Sequence, residues 1–125
     1  MKKIINSKFA PAAIGPYSQA VEVNGTLYVS GQLPIDPSAG KIVAADIAGQ
    51  TEQSLKNLAA ILEEAGYSFE TVVKSTVFLS DIANFAGMND VYKMFYKTDC
   101  PARSAFAVKD LPMGALVEIE TIAAK

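Results

Sequence analysis

The chain has 125 residues, half of them apolar, with thirteen acids against eleven bases and a formal charge of −2. That length suits one domain with a real core, and the acidic balance counts against nucleic-acid binding, which relies on a basic stripe. Histidine is absent and Cys100 is the only cysteine, which excludes Ser-His-Asp and Cys-His catalysis, internal disulfides and the common zinc sites.

No apolar run approaches the roughly 20 residues that span a bilayer, and the segment from Met1 to Lys8 lacks the apolar stretch of a signal peptide. The expected location is the cytoplasm. Mean hydropathy is positive, which on so short a chain fits either a well-filled core or an oligomer. Any chemistry must run on carboxylate, arginine, tyrosine, lysine, hydroxyl and backbone groups.

In chain order, Ala20 to Val23 and Thr26 to Ser30 are β-favouring runs flanking Asn24-Gly25, the dipeptide that accepts positive φ in a type I′ hairpin. The stretch 31–40, with two prolines and a glycine at each end, reads as a loop. From Asp46, Ile47, Thr51, Leu55, Leu58, Leu62 and Ala65 recur at helical spacing. Asp46 is the expected N-cap and Gly66 the left-handed C-terminal residue. Val72 to Leu79 reads as a buried strand, and Phe85, Met88, Val91, Tyr92 and Phe95 mark a second helix that contains Gly87. Ala102 to Val108 and Leu116 to Ala123 read as two strands joined by a turn at 109–114. The order β-β-α-β-α-β-β predicts an α+β domain over residues 1–125: a sheet carries both helices on one face and leaves the other open to further copies of the chain.

Arg103 is the only charged residue in its strand, and Glu118 and Glu120 lie in the last one. A hairpin pairing Val108 with Ala115 would set Arg103 opposite Glu120 and diagonal to Glu118. Taken alone, such a constellation is more often an inert ion pair. Its functional alternative is a guanidinium that clamps a carboxylate bidentately beside a glutamate that handles water. Tyr17, Ser30, Lys74, Asn89 and Cys100, read singly, are ordinary surface or structural residues, and Cys100 has nothing nearby in sequence to activate it.

Ala10 to Ala20, with Ile14-Gly15-Pro16-Tyr17-Ser18-Gln19 at its centre, resembles the Rid (YjgF) family. So do Ser30-Gly31-Gln32-Leu33-Pro34, Pro101-Ala102-Arg103-Ser104 and Val117-Glu118-Ile119-Glu120. The likeness runs from end to end and is nearest the RidA-type enamine/imine deaminases. It implies a chorismate-mutase-like α+β fold with a mixed β-sheet, assembled as a homotrimer around a central barrel with sites between subunits. It implies hydrolysis of 2-aminoacrylate and 2-aminocrotonate, or their imine tautomers, to keto acids and ammonia. Such substrates come from pyridoxal-phosphate-dependent dehydratases, and no cofactor or metal is implied.

By resemblance, Arg103 grips the substrate carboxylate, Glu118 orients water, Tyr17 and Ser30 line the pocket, and Glu118 or Tyr17 relays a proton as ammonia leaves. Gly31 offers its N–H, Ala105 a backbone group, and Asn89 stands nearby. Many members carry cysteine where this chain has Ala105. Two other readings stay open: a non-catalytic metabolite-binding regulator, and the endoribonuclease or translation-inhibitor role attached to the family. The acidic composition counts against the latter.

Overall fold

Asn24 and Gly25 both take positive φ, 50° and 76°, so the turn between β2 (Ala20–Val23) and β3 (Thr26–Gln32) is the tight hairpin its dipeptide dictates. The computed structural model describes residues 1–125. Before this hairpin lies β1 (Lys3–Ile5), which pairs with β2. After it, the segment expected as a loop holds the end of β3 and a small ribbon of β4 (Ile35–Asp36) and β5 (Lys41–Ile42). Strands of two or three residues carry no readable alternation, so sequence pattern gave no sign of them.

Helix α1 (Ile47–Glu64) starts where Asp46 accepts a hydrogen bond from the Gly49 N–H at 2.9 Å and ends before Gly66, whose φ is +79°. Its Leu55, Leu58, Ile61 and Leu62 enter one apolar core of 19 residues. Strand β6 (Val72–Leu79) follows, then α2 (Phe85–Phe95), β7 (Ala102–Ala107) and β8 (Val117–Ala124). Gly87 is needed inside α2 because a Cβ there would stand 2.7 Å from the Ile47 Cγ2 of α1. The helices approach closely at that point, which outweighs the glycine's propensity cost of about 1 kcal/mol.

The main sheet runs β1-β2-β3-β8-β6-β7, with β6 and β7 parallel and every other neighbouring pair antiparallel. Here the expected hairpin fails. β7 and β8 are not neighbours, because β6 lies between them, and α2 is the crossover that a parallel β6–β7 pair requires. The connection from β7 to β8 instead passes over the end of β6, where Val108 donates to Leu79 O and Ser80 donates to Leu116 O. It spans two strand spacings, roughly 10 Å.

Alternation along each strand separates two faces. Val117, Ile119, Thr121 and Ala123 of β8, with Ser75, Val77 and Leu79 of β6, are buried beneath both helices. Glu118, Glu120 and Ile122 point the other way, together with Tyr28, Phe78 and Phe106. This second face is open within the subunit. Tyr28 and Phe106 are about half exposed, at 49% and 45%, and Phe106 meets Phe78 edge-to-face at 5.6 Å.

Candidate functional site

Register decides where the predicted residues fall. Arg103 pairs with Ser75, which pairs with Thr121, so Arg103 projects from the helix-bearing face. Glu118 pairs with Phe78 and projects from the open face. The two lie two strands apart, three residues apart along the sheet, and on opposite sides of it. The cross-strand Arg103–Glu118 and Arg103–Glu120 proximities expected from a hairpin therefore do not exist within one subunit. What the structure builds instead are two separate groups of site residues.

The first group surrounds Arg103. Its Nη1 donates to Asn89 Oδ1 at 2.8 Å, and its Cζ lies 4.7 Å from the Tyr92 ring centroid and 5.4 Å from that of Phe85. Phe85, Asn89 and Tyr92 follow one another at spacings of four and three, so they share one face of α2. Asn89, expected on the exposed face of its helix, is turned toward the sheet by this arrangement and is only partly exposed. No carboxylate neutralises the guanidinium. The subunit's two ion pairs, Lys56–Glu52 and Lys93–Asp90, are exposed helix pairs that do not involve it. Arg103 thus keeps a full charge and, of the five N–H donors of a guanidinium, uses one in the subunit. A cavity of about 310 Å³ opens beside it, lined by Asn89, Tyr92, Lys93, Tyr96, Cys100 and Arg103, among others. Ala105, on the same face of β7, belongs to the sheet's edge strand, where outward backbone groups have no strand partner.

The second group surrounds Glu118. Ser30 and Gly31 together oppose the single Glu120, because the β3–β8 register shifts between Val29 and Gln32. This bulge brings the Gly31 backbone against the Glu118 carboxylate, and a Cβ on Gly31 would stand 2.9 Å from the Glu118 Cδ. Only glycine leaves room for it. The Glu118 carboxyl is pushed above the ordinary carboxylate range, first by burial and then by the negative charge of Glu120. That places it nearer the pH where a carboxyl exchanges protons usefully.

Ser30 ties in a third element. Its Oγ donates to Ser18 O at 2.6 Å, and its N–H donates to Gln19 O at 2.9 Å. The hydroxyl proton is committed there, which leaves Ser30 able to accept from a ligand but not to donate. Gln19, 3% exposed, in turn accepts from the Ser7 N–H and donates to Ser7 O and Pro11 O. The loop from Ser7 to Gln19 is thereby closed at its base, while Tyr17, two residues before Gln19, stands half exposed.

Four residues that the structure places in these groups are given no site role by the sequence: Phe85, Tyr92, and Ser18 and Gln19 of the Ile14-to-Gln19 motif. Phe85 and Tyr92 belong to the apolar stripe that marks the second helix, and the available signal is the spacing that aligns them with Asn89. For Gln19 the motif is the available signal, since a side chain that satisfies backbone groups nearby leaves no periodic trace. Lys74 donates to Ser104 Oγ at 3.2 Å on the open face and joins neither group. Cys100 is exposed and its Sγ donates to Tyr96 O at 3.4 Å.

Against known proteins, the profile of the family described as Endoribonuclease L-PSP matches residues 7–125. The chain belongs to the Rid (YjgF) family. One relative, a Bos taurus protein named 2-iminobutanoate/2-iminopropanoate deaminase, is 51% identical, and the match covers 98% of this chain and 90% of that one. Among solved structures, the Rid protein YyfA of Yersinia pestis superposes with a TM-score of 0.97 at 50% identity, over 100% of both chains. E. coli TdcF, solved with bound serine, gives 0.94 at 41% identity over 98% of each. The Rid fold is thus present from end to end, with its two helices and mixed sheet. The same comparisons span both residue groups described above.

Proposed function

We propose that this chain is a hydrolytic deaminase that converts small 2-imino acids, the tautomers of 2-aminoacrylate and 2-aminocrotonate, to 2-keto acids and ammonia. The observation that carries this reading is the unneutralised Arg103 fork, held in place by an amide and two rings while four N–H donors stay free. A planar α-imino carboxylate is what such a fork grips best. The relatives named as imine deaminases, about 50% identical, support the same substrate class.

Because Arg103 and Glu118 lie on opposite faces of one sheet, a single subunit cannot offer both to one small substrate. We infer a homotrimer with its open sheet faces turned inward as a barrel, in which the Arg103 group of one copy meets the Glu118 group of the next. The half-exposed Tyr28 and Phe106 on that face support such burial.

In the assembled cleft, Arg103 fixes the carboxylate and Asn89 keeps Arg103 aimed. Water held by Glu118 and a backbone carbonyl near Ala105 attacks the imine carbon, and Glu118 takes its proton. The imine nitrogen is protonated from Glu118 or Tyr17, giving a carbinolamine. Glu118 then carries the carbinolamine's hydroxyl proton to the amino nitrogen, the C–N bond breaks, ammonia leaves and the new C=O completes the keto acid. The Gly31 N–H and the acceptor oxygen of Ser30 line the far side. Positioning supplies most of the acceleration, and no step requires a metal or cofactor.

The test is turnover of an imine supplied continuously by a pyridoxal-phosphate-dependent threonine dehydratase. Keto acid should appear faster than by spontaneous hydrolysis. An unaccelerated rate at micromolar protein would reject the activity and favour a ligand-binding role for the same cleft.

A further inference from the structure

Arginine is a flexible side chain, and ordering it at the moment of binding weakens the affinity it provides. Here the ordering is done in advance. All three supports of the guanidinium, Phe85, Asn89 and Tyr92, come from α2, the crossover that leads directly into the strand carrying Arg103. Of the two rings Tyr92 is the nearer, and of the three supports it is the deepest, at 5% exposure. Its ring lies 4.6 Å from that of Tyr96, with 31° between the planes, and Tyr96 stands edge-on to Phe69 at 5.1 Å. Tyr92 therefore heads a short aromatic column and cannot tilt freely. Its buried hydroxyl lies beside Ser75, and it is the ring that meets the guanidinium.

A carboxylate could hold Arg103 as firmly, but it would neutralise the charge and occupy the fork. A ring face attracts the cation through its quadrupole and consumes no N–H donor. We propose that Tyr92 is the positioning residue for carboxylate recognition: its ring, backed by Tyr96, fixes the Arg103 guanidinium from the core side and leaves its donors free for the substrate. The proposal rests on the reading of Arg103 as the carboxylate clamp.

Tyr92→Met fills a similar volume without a ring face. In the dehydratase-coupled assay it should raise KM on the order of tenfold, the scale of a lost desolvated cation–π contact, while kcat changes by less than about threefold. The dissociation constant of 2-oxobutanoate, a stable carboxylate probe, should rise in parallel. Tyr92→Phe keeps the ring and should restore KM to within about twofold. A purely structural tyrosine would instead lower the active fraction, and hence kcat, at constant KM. An unchanged KM in folded Tyr92→Met, with Arg103→Lys impaired, would overturn the role of Tyr92 and leave the clamp standing. Unchanged KM in both variants would overturn the clamp itself. Should Tyr92→Met fail to fold, Phe85→Met removes the other, more exposed ring, and an unchanged KM there would overturn the aromatic support.

Discussion

Replacing Arg103 with lysine keeps the charge and removes the fork. Lysine would lose the hydrogen bond to Asn89 Oδ1, now 2.8 Å, and the stacking on Tyr92 and Phe85 at 4.7 and 5.4 Å. It would also hold a carboxylate through one variable contact in place of two parallel ones. A charge-assisted hydrogen bond is worth about 1.5–3 kcal/mol, and each 1.4 kcal/mol is tenfold in rate. One lost bond thus predicts a fall in kcat/KM of roughly 10- to 150-fold. Misplacement by about 1 Å would carry it to the upper end. Stability should change little, because Arg103 has no carboxylate partner whose charge would be left unpaired. The thermal midpoint should move by less than about 5 °C. The assay is keto acid release from dehydratase-generated imine, with spontaneous hydrolysis subtracted, beside a melting curve. Arg103→Lys with near-parental kcat/KM would refute the clamp, whereas a large loss of midpoint would mean that the residue is structural.

Other expectations follow from the second group. Glu118→Gln should abolish most turnover while retaining 2-oxobutanoate binding, and Glu120→Gln should be milder; the opposite ranking in the same assay would assign the proton to Glu120. Because burial and Glu120 raise the Glu118 pKa, activity that needs its carboxylate should decline on acidification starting above the usual carboxylate range, and Glu120→Gln should move that limb of the rate profile to lower pH. The linked stability has the opposite sign: a raised folded pKa favours the folded state below the unfolded value and loses that contribution as pH rises through the folded one. Glu118→Gln should therefore melt slightly higher than the parent at neutral pH. Gly31→Ala should cost most activity in a folded protein, since its Cβ would displace the Glu118 carboxylate; wild-type rates would show that this approach is unimportant. Light scattering at micromolar concentration should give about three times the chain mass of 13.3 kDa, and a stable monomer would sink the shared-cleft arrangement.

Elements long enough to show a period were legible in the sequence. The stripe from Ile47 to Ala65 marked α1 with both of its ends, and the run from Val72 to Leu79 coincides with β6. Asn24-Gly25 fixed its hairpin because few other dipeptides tolerate two positive φ angles. Strand adjacency was not legible. A connection such as 109–114 is short enough to suggest a hairpin, yet it is long enough to step across one intervening strand. Nothing in the strands themselves chooses between these, since β6, β7 and β8 all alternate acceptably against one another. The choice is made by α2: a helix between β6 and β7 permits a parallel pair, and its apolar face then seals the sheet beneath Arg103.

That one error of topology reverses the meaning of the site. In a hairpin, Arg103 and Glu118 would share a face, and a long cation beside two carboxylates would spend its charge on them as an inert pair. With β6 interposed they occupy opposite faces, so neither can quench the other. Arg103 keeps an unpartnered guanidinium on aromatic support, and Glu118 keeps a carboxyl whose burial lifts its affinity for protons. Each is costly to maintain alone and would be relieved by a ligand or a neighbour. Family motifs single out residues by their place in the chain, with no assumption about which strands, or which subunits, stand side by side. Cross-strand geometry failed because it assumed that β7 and β8 are neighbours, whereas β6 lies between them. The separation has a physical consequence of its own: activity that needs both groups must depend on assembly, so the rate per chain should fall on dilution in step with the loss of the oligomer.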